Sequence, residues 1–335
     1  MIIENHFHLK GPFFNLYTHP ISASLLLSAY ESQFEEGDFL HMSKRPEGMG
    51  TEDSLFGESR PFFIPGTEQL DITAHPYRLF IFKPTTTPPA AGFPVMYVLD
   101  GNSLFGTMVE AIRLQSRRPE KTGVVPAIIV GIGYQTEAPY HPLRHYDLTL
   151  TGPDASIGGK RKDFSNHTYG GASAFFSFLE KIVKPYIEQR FPINQSRQTL
   201  FGHSLGGLFV LHTLFEHPDV YQTYIAGSPS IHWNKKLFLE KERQFTSHIR
   251  QMPMDVRLLV GVGELEKHHP CQMNDHANSL ANRMLPLSPY GLHTAYHEFP
   301  KEGHTSVLPV LMNDAFRFAL YHDDPFTTTD MKERQ

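Results

Sequence analysis

From about residue 62 onward, short apolar runs alternate with longer stretches whose apolar positions recur at helical spacing. "YRLFIFKP", residues 77–84, alternates as a half-buried strand should, and "TTTPPAAGFP" is a turn-rich connector into the apolar run "VMYVLD", residues 95–100. A helical pattern covers about residues 103–115, and "AIIVGIG", residues 127–133, has the continuous apolar character of a strand covered on both faces. Residues 172–191 have helical spacing, with Pro185 marking a kink or a break into two pieces. Further on, "TLFG" reads as a strand, "GGLFVLHTLFEH" as a helix and "YIAGS" as a strand. "LLVGV" and "AYHEF" are two more strands, with a helix predicted over about residues 272–284 between them. Strands alternating with helices predict an α/β fold, a mainly parallel central sheet with helices on both faces.

Two stretches depart from this rhythm. Residues 1–60 carry scattered aromatics, several Pro and Gly and an acidic run without a clean period; they are expected to be an extension that packs on the main domain. Residues 134–171 are polar and too long for an ordinary connection, so they are expected to form a lid or substrate loop inside a catalytic domain spanning 61–325. Residues 326–335 read as a tail.

Composition narrows the possible partners. A net charge of -5 gives no basic footprint for nucleic acid, so no such partner is expected. No run approaches the roughly 20 apolar residues of a membrane helix. The apolar stretch at residues 21–30 starts far from the N-terminus and lacks the basic flank and cleavage pattern of a secretory signal, so a cytoplasmic location is expected. The single cysteine, Cys271, forms no internal disulfide and decides little about compartment.

The chemistry is concentrated in "TLFGHSLGGLF", residues 199–209. Gly202, Ser204 and Gly206 spell G-x-S-x-G, which chance supplies in roughly one chain in ten of this size. Context raises its value, because a strand precedes the motif and an apolar helix follows it. That order makes the nucleophile elbow of an α/β-hydrolase, a strained turn whose flanking positions must be small for strand and helix to approach.

A serine hydroxyl needs a base, and the fold orders the partners as Ser, acid, His. "AYHEFPKEGHTSVLP" places His304 in a glycine-containing loop after the last predicted strand, whereas His297 lies on the strand itself. "LLVGVGELEKHHP" offers Glu266, with Glu264 as the alternative acid; a Ser-His dyad or a distant Asp remains open. Backbone N–H of Leu205 is one expected oxyanion donor, and Gly101 or Asn102, in the turn after "VMYVLD", the second. "HHPC", residues 268–271, lacks the paired spacing of a metal cluster; neither a metal site nor a cofactor is expected.

Several segments together resemble one family. "IPGTEQLDI", "GFPVMYVLDGNSLF", "AIRLQSRRPEKTGVVPAIIVGIGY", "RHYDLT", "KPYIEQRFPINQSRQTLFGHSLGGLF", "SPSIHWN", "VGELEKHH" and "EGHTSVLP", spread from about residue 64 to 309, look like the siderophore esterases. These are α/β-hydrolases that cleave the trilactone backbone of catecholate siderophores such as enterobactin and bacillibactin. The resemblance implies that Ser204 and His304 are catalytic, and that the partner is a small-molecule ester, a ferric siderophore in the sharpest reading. "SIHW" departs from the pattern, having His232 where an aromatic residue is common. Related esterases with similar elbows act on feruloyl or acetyl esters or on S-formylglutathione, so a carboxylesterase or thioesterase is the alternative. A catalytically silent, ligand-binding relative is the alternative from another class. For a catecholate substrate, Trp233 is the expected stacking surface. Arg144 and Arg113, with Arg117 and Arg118 nearby in sequence, are the expected partners of its negative charge.

Overall fold

The computed structural model of the protein describes residues 58–154 and 167–321. The larger compact unit of the chain begins at Phe63. The expectations for residues 1–57, the middle of the lid stretch (155–166) and the tail lie outside the described residues.

Eight strands form one sheet: β1 (Thr67–Asp71), β2 (Tyr77–Phe82), β3 (Phe93–Leu99), β4 (Ile128–Tyr134), β5 (Ile193–His203), β6 (Thr223–Gly227), β7 (Val256–Gly263) and β8 (Leu292–Phe299). Their order across the sheet is β1-β2-β4-β3-β5-β6-β7-β8. β1 and β2 run antiparallel to their neighbours, and the other six strands are parallel. Parallel neighbours require crossovers, which are supplied by α1 (Gly101–Gln115), α2 (Ala172–Phe178), α3 (Lys184–Arg190), α4 (Leu205–Glu216), α5 (Lys235–Gln251) and α6 (Met273–Met284); α7 (Val307–Leu320) follows β8.

The period-2 alternation of strand side chains divides the core between the two faces. Met96, Val98, Ile129, Phe201, Ile225 and Leu259 point to the face covered by α1 and α7. Val95, Tyr97, Leu99, Val130, Leu200 and Leu258 point to the other, where α2 to α6 contribute the apolar partners. The central strands β3 and β4 are buried at every position, which is why their sequences read as unbroken apolar runs. No helix among the described residues is long and apolar enough to cross a membrane.

Some boundaries differ from the sequence reading. The break expected at Pro185 is a π-helical turn, Leu179–Val183, between α2 and α3; it absorbs the hydrogen bond a proline cannot donate. The "TLFG" strand is the end of the longer β5. Strand β1 and helices α5 and α7 have no counterpart among the predicted elements. All six parallel strands end at one edge of the sheet, and the turns that leave them there are where side chains from distant parts of the chain converge.

Candidate active site

Two neighbouring strands end in the same way. β5 runs into Ser204, whose backbone lies at φ 59°, ψ −115°, and α4 begins at the next residue. β3 runs into Asp100, in the left-handed region at φ 55°, and α1 begins at Gly101. For residues with a Cβ these conformations cost on the order of 1–3 kcal/mol each and persist only where the surroundings enforce them. The enforcement is visible: a Cβ on Gly202 would collide with the Gly206 backbone, and one on Gly101 would lie 2.8 Å from the Gly131 carbonyl carbon. Small residues at these points are therefore a packing requirement of both strand-to-helix turns. The Ser204 N–H donates to Gly227 O at 2.9 Å, tying the elbow to β6.

The N–H groups of Gly101, Asn102 and Leu205 lie in the first turns of their helices, ahead of the intrahelical ladder. The Asn102 side chain has a different task, accepting from Tyr134 N–H at 2.8 Å and donating to the carbonyls of Tyr134 and Thr136. That pins α1 to the end of β4.

His304 sits in the loop between β8 and α7. Its Nδ1 is 2.7 Å from Glu266 Oε2. An ionised carboxylate only accepts, so Nδ1 carries a proton, and in the neutral imidazole that leaves the lone pair on Nε2. Glu266 is buried, and its other oxygen accepts from Ser228 Oγ at 2.6 Å and from Gly263 N–H at 2.8 Å. Burial alone would raise this carboxyl's pKa, but hydrogen bonds from His304, Ser228 and Gly263 outweigh it and hold the group below the ordinary glutamate range. Glu264 faces elsewhere, accepting from Lys301 N–H at 2.9 Å.

The imidazole of His203, the residue before Ser204, lies 4.6 Å from that of His304 between ring centres. Burial, with the neighbouring His304, depresses its pKa to about 4, so it is neutral at physiological pH. The Ser204 hydroxyl lies 3.4 Å from the hydroxyl of Ser230. Sequence reasoning misses both His203 and Ser230, because no spacing rule marks them; each follows from knowing which strand ends are neighbours.

The residues expected to contact substrate lie in three different settings. Trp233 is only 4% exposed; its indole N–H donates to Thr151 O and its ring packs edge-on against Tyr169. Its backbone carbonyl accepts from Asp154 N–H at 2.6 Å, so the residue is tied to the 151–154 segment through both side chain and backbone. Arg144 donates from Nε and Nη2 to the two oxygens of buried Asp100, both at 2.8 Å, so its charge is balanced inside the protein. Arg113 lies at the far end of α1, roughly 18 Å along the axis from Gly101, paired with Glu110. It lines a cleft with Pro65, Phe82 and Arg117 at the opposite end of the sheet, because the helix that starts at the site runs away from it.

A second buried carboxylate lies near by. Asp147, in the short helical turn Arg144–Asp147, accepts from Tyr77 and Tyr134 hydroxyls at 3.1 and 3.0 Å. Burial raises its pKa to about 6 against the opposing effect of those hydrogen bonds.

Comparison with known proteins bears on this arrangement. The family described as "Putative esterase" matches residues 71–316. The chain belongs to that esterase family. It is 50% identical over 273 residues to the ferri-bacillibactin esterase BesA of Bacillus subtilis, an alignment covering 80% of this chain and 94% of the relative. It is 31% identical to the apo-salmochelin esterase of Escherichia coli, over 77% of this chain and 78% of that one. Among solved structures, the BES protein from Bacillus cereus superposes with a TM-score of 0.73 at 39% identity, covering 79% of this chain and all of that one. The fold is that of an α/β-hydrolase, and the protein is a hydrolase of esters.

Proposed function

We propose that the protein is a serine esterase that opens the trilactone backbone of a catecholate siderophore. The observation that carries the mechanism is the 2.7 Å contact between Glu266 and His304 beside the strained elbow that presents Ser204. The substrate class rests on the relatives, esterases named for ferri-bacillibactin and apo-salmochelin. A small-molecule ester, with iron arriving as its cargo, and a cytoplasmic setting are parts of the same proposal.

His304 Nε2 takes the Ser204 proton as Oγ bonds to a lactone carbonyl carbon. Glu266 holds the imidazole in the required tautomer and stabilises the imidazolium. Negative charge developing on the carbonyl oxygen is met by backbone N–H of Leu205 and of Gly101 or Asn102. Each such donor is worth roughly 10²- to 10³-fold in rate. Collapse breaks the carbon–oxygen bond to the leaving alkoxide, which receives the proton from His304. Water, deprotonated by the same nitrogen, then releases Ser204 and leaves a carboxylic acid, so each cycle consumes one water and cuts one ester.

The test compares turnover of ferric and iron-free catecholate trilactones with p-nitrophenyl acetate and S-formylglutathione, for wild type and Ser204→Ala. The proposal expects preference for the trilactones and a loss of about 10⁴-fold or more in the variant on every ester. Equal or lower turnover of the trilactones would remove the substrate assignment, and an active Ser204→Ala would remove the nucleophile.

A further inference from the structure

The turn after β6, Ser228-Pro229-Ser230, touches both ends of the candidate catalytic set. Ser230 is buried; its N–H donates to Ser204 O at 3.1 Å and its hydroxyl lies 3.4 Å from Ser204 Oγ. Two residues earlier, Ser228 donates its hydroxyl to Glu266 and its N–H to Gly261 O at 2.7 Å. Between them Pro229 closes on α4, where a Cβ on Gly207 would lie 3.1 Å from Pro229 Cα. The backbone that carries Ser230 is thus fixed beside the elbow, with its hydroxyl next to Ser204 Oγ.

We infer that Ser230 donates a hydrogen bond to the reacting oxygen of Ser204 and so shares in the chemistry, an inference that rests on Ser204 being the nucleophile. The Ser204 proton must point at His304 Nε2 for transfer, which leaves the Oγ lone pairs to be satisfied from another direction. Ser230, buried and already bonded to the same residue's backbone, supplies that donor. As His304 withdraws the proton and Oγ approaches the carbonyl carbon, the donor steadies the charge on Oγ and restricts the side chain to the attacking rotamer. Its own proton stays on Ser230 throughout, and no bond to Ser230 forms or breaks. A length of 3.4 Å is in keeping with catalytic hydrogen bonds that tighten only when substrate is bound.

The experiment follows the rate of Ser204 labelling by a fluorophosphonate, and kcat and KM for an aryl ester across pH, in wild type, Ser230→Ala, Ser230→Thr and Ser204→Ala. Ser230→Ala is expected to lower labelling and kcat together about five- to tenfold, the worth of one hydrogen bond, with KM changed by less than about twofold. Ser230→Thr, which keeps the hydroxyl, is expected to restore most of the rate. Wild-type labelling by Ser230→Ala, or a threonine variant as slow as the alanine one, would overturn the role. If Ser230→Ala does not fold, Ser230→Cys, a weaker donor, takes its place: slower than Thr supports the donor, and equal to Thr refutes it. An active Ser204→Ala would instead remove the underlying nucleophile assignment, so the two failures are distinguishable.

Discussion

Glu266 and Asp147 are both buried carboxylates, and their surroundings send them in opposite directions. Glu266 is held ionised by three donors, so its contribution to stability is present above its unfolded pKa and is lost as pH falls through the lower folded value. Glu266→Gln keeps the shape but can present an amide N–H to His304 or impose the other tautomer. It should lower kcat by about 10²- to 10⁴-fold with the fold intact, checked by steady-state kinetics and a thermal melt. Asp147 has the reverse sign: its folded pKa of about 6 lies above the ordinary 3.8, so the native state binds the extra proton between those values. Its ionisation therefore costs stability as pH rises through about 6, roughly 3 kcal/mol for a shift of this size. Relative to wild type, Asp147→Asn should become progressively more stable between about pH 4 and pH 7, read from denaturant midpoints across that range. An Asp147→Asn difference that does not change with pH would contradict it.

At the scale of elements, what was legible in the sequence was whatever a single element shows in isolation. The runs at 95–100 and 127–133 are β3 and β4 because both faces of those strands are covered. The elbow is readable because strand, glycines and helix are contiguous. By contrast α5 escapes a sequence reading although Phe238, Phe245 and Ile249 mark its inner face, because charged residues surround that sparse stripe. The covering of Trp233 and the distance of Arg113 from the turn at Gly101 were hidden in the sequence for a different reason. Position in the chain says which loop a side chain leaves, but not how far a helix carries it or whether a neighbouring segment covers it. Arg144 and Asp100 show the same limit, since a residue from the long polar stretch reaches the end of β3 only through the fold. Removing one member of that pair, as in Arg144→Leu, leaves Asp100 buried and unpartnered at the turn that presents Gly101. It should cost about 3–5 kcal/mol, measured by urea denaturation, and activity should fall with it. Asp100→Asn combined with Arg144→Leu should recover part of that loss, because the uncompensated charge is gone.

For the molecule as a whole, acid sensitivity is built into the interior. His203 and His212 are both buried with pKa values depressed to about 4, each chiefly by burial. Between about 4 and 6.5 the unfolded chain binds protons there that the native state refuses. These two histidines therefore make stability rise with pH across this window and fall on acidification, against the opposite slope that Asp147 contributes. His212 lies about two turns along α4 from Ser204, packing against Phe238 on α5, and its Nδ1 has no hydrogen-bond partner among the described residues. His212→Leu should flatten the decline of melting temperature between about pH 6.5 and pH 4.5 while leaving kcat near wild type; a slope as steep as the parent's would show that the charge is taken up elsewhere.

The paired construction at the ends of β3 and β5 has one more consequence. Gly206 at the start of α4 lies close enough to Asp100 that a Cβ there would be 3.5 Å from its carboxylate, so α1 and α4 begin side by side. Each helix adds the dipoles of its peptide units into a partial positive charge at that end. Two such ends converge beside Ser204, while the full positive charge of the Arg144 guanidinium is cancelled by Asp100. Positive charge facing a developing oxyanion thus comes from backbone N–H groups acting at hydrogen-bonding distance, well inside the screening length of about 8–10 Å. The chemical step should accordingly be nearly indifferent to ionic strength, even where salt slows the arrival of a charged ester.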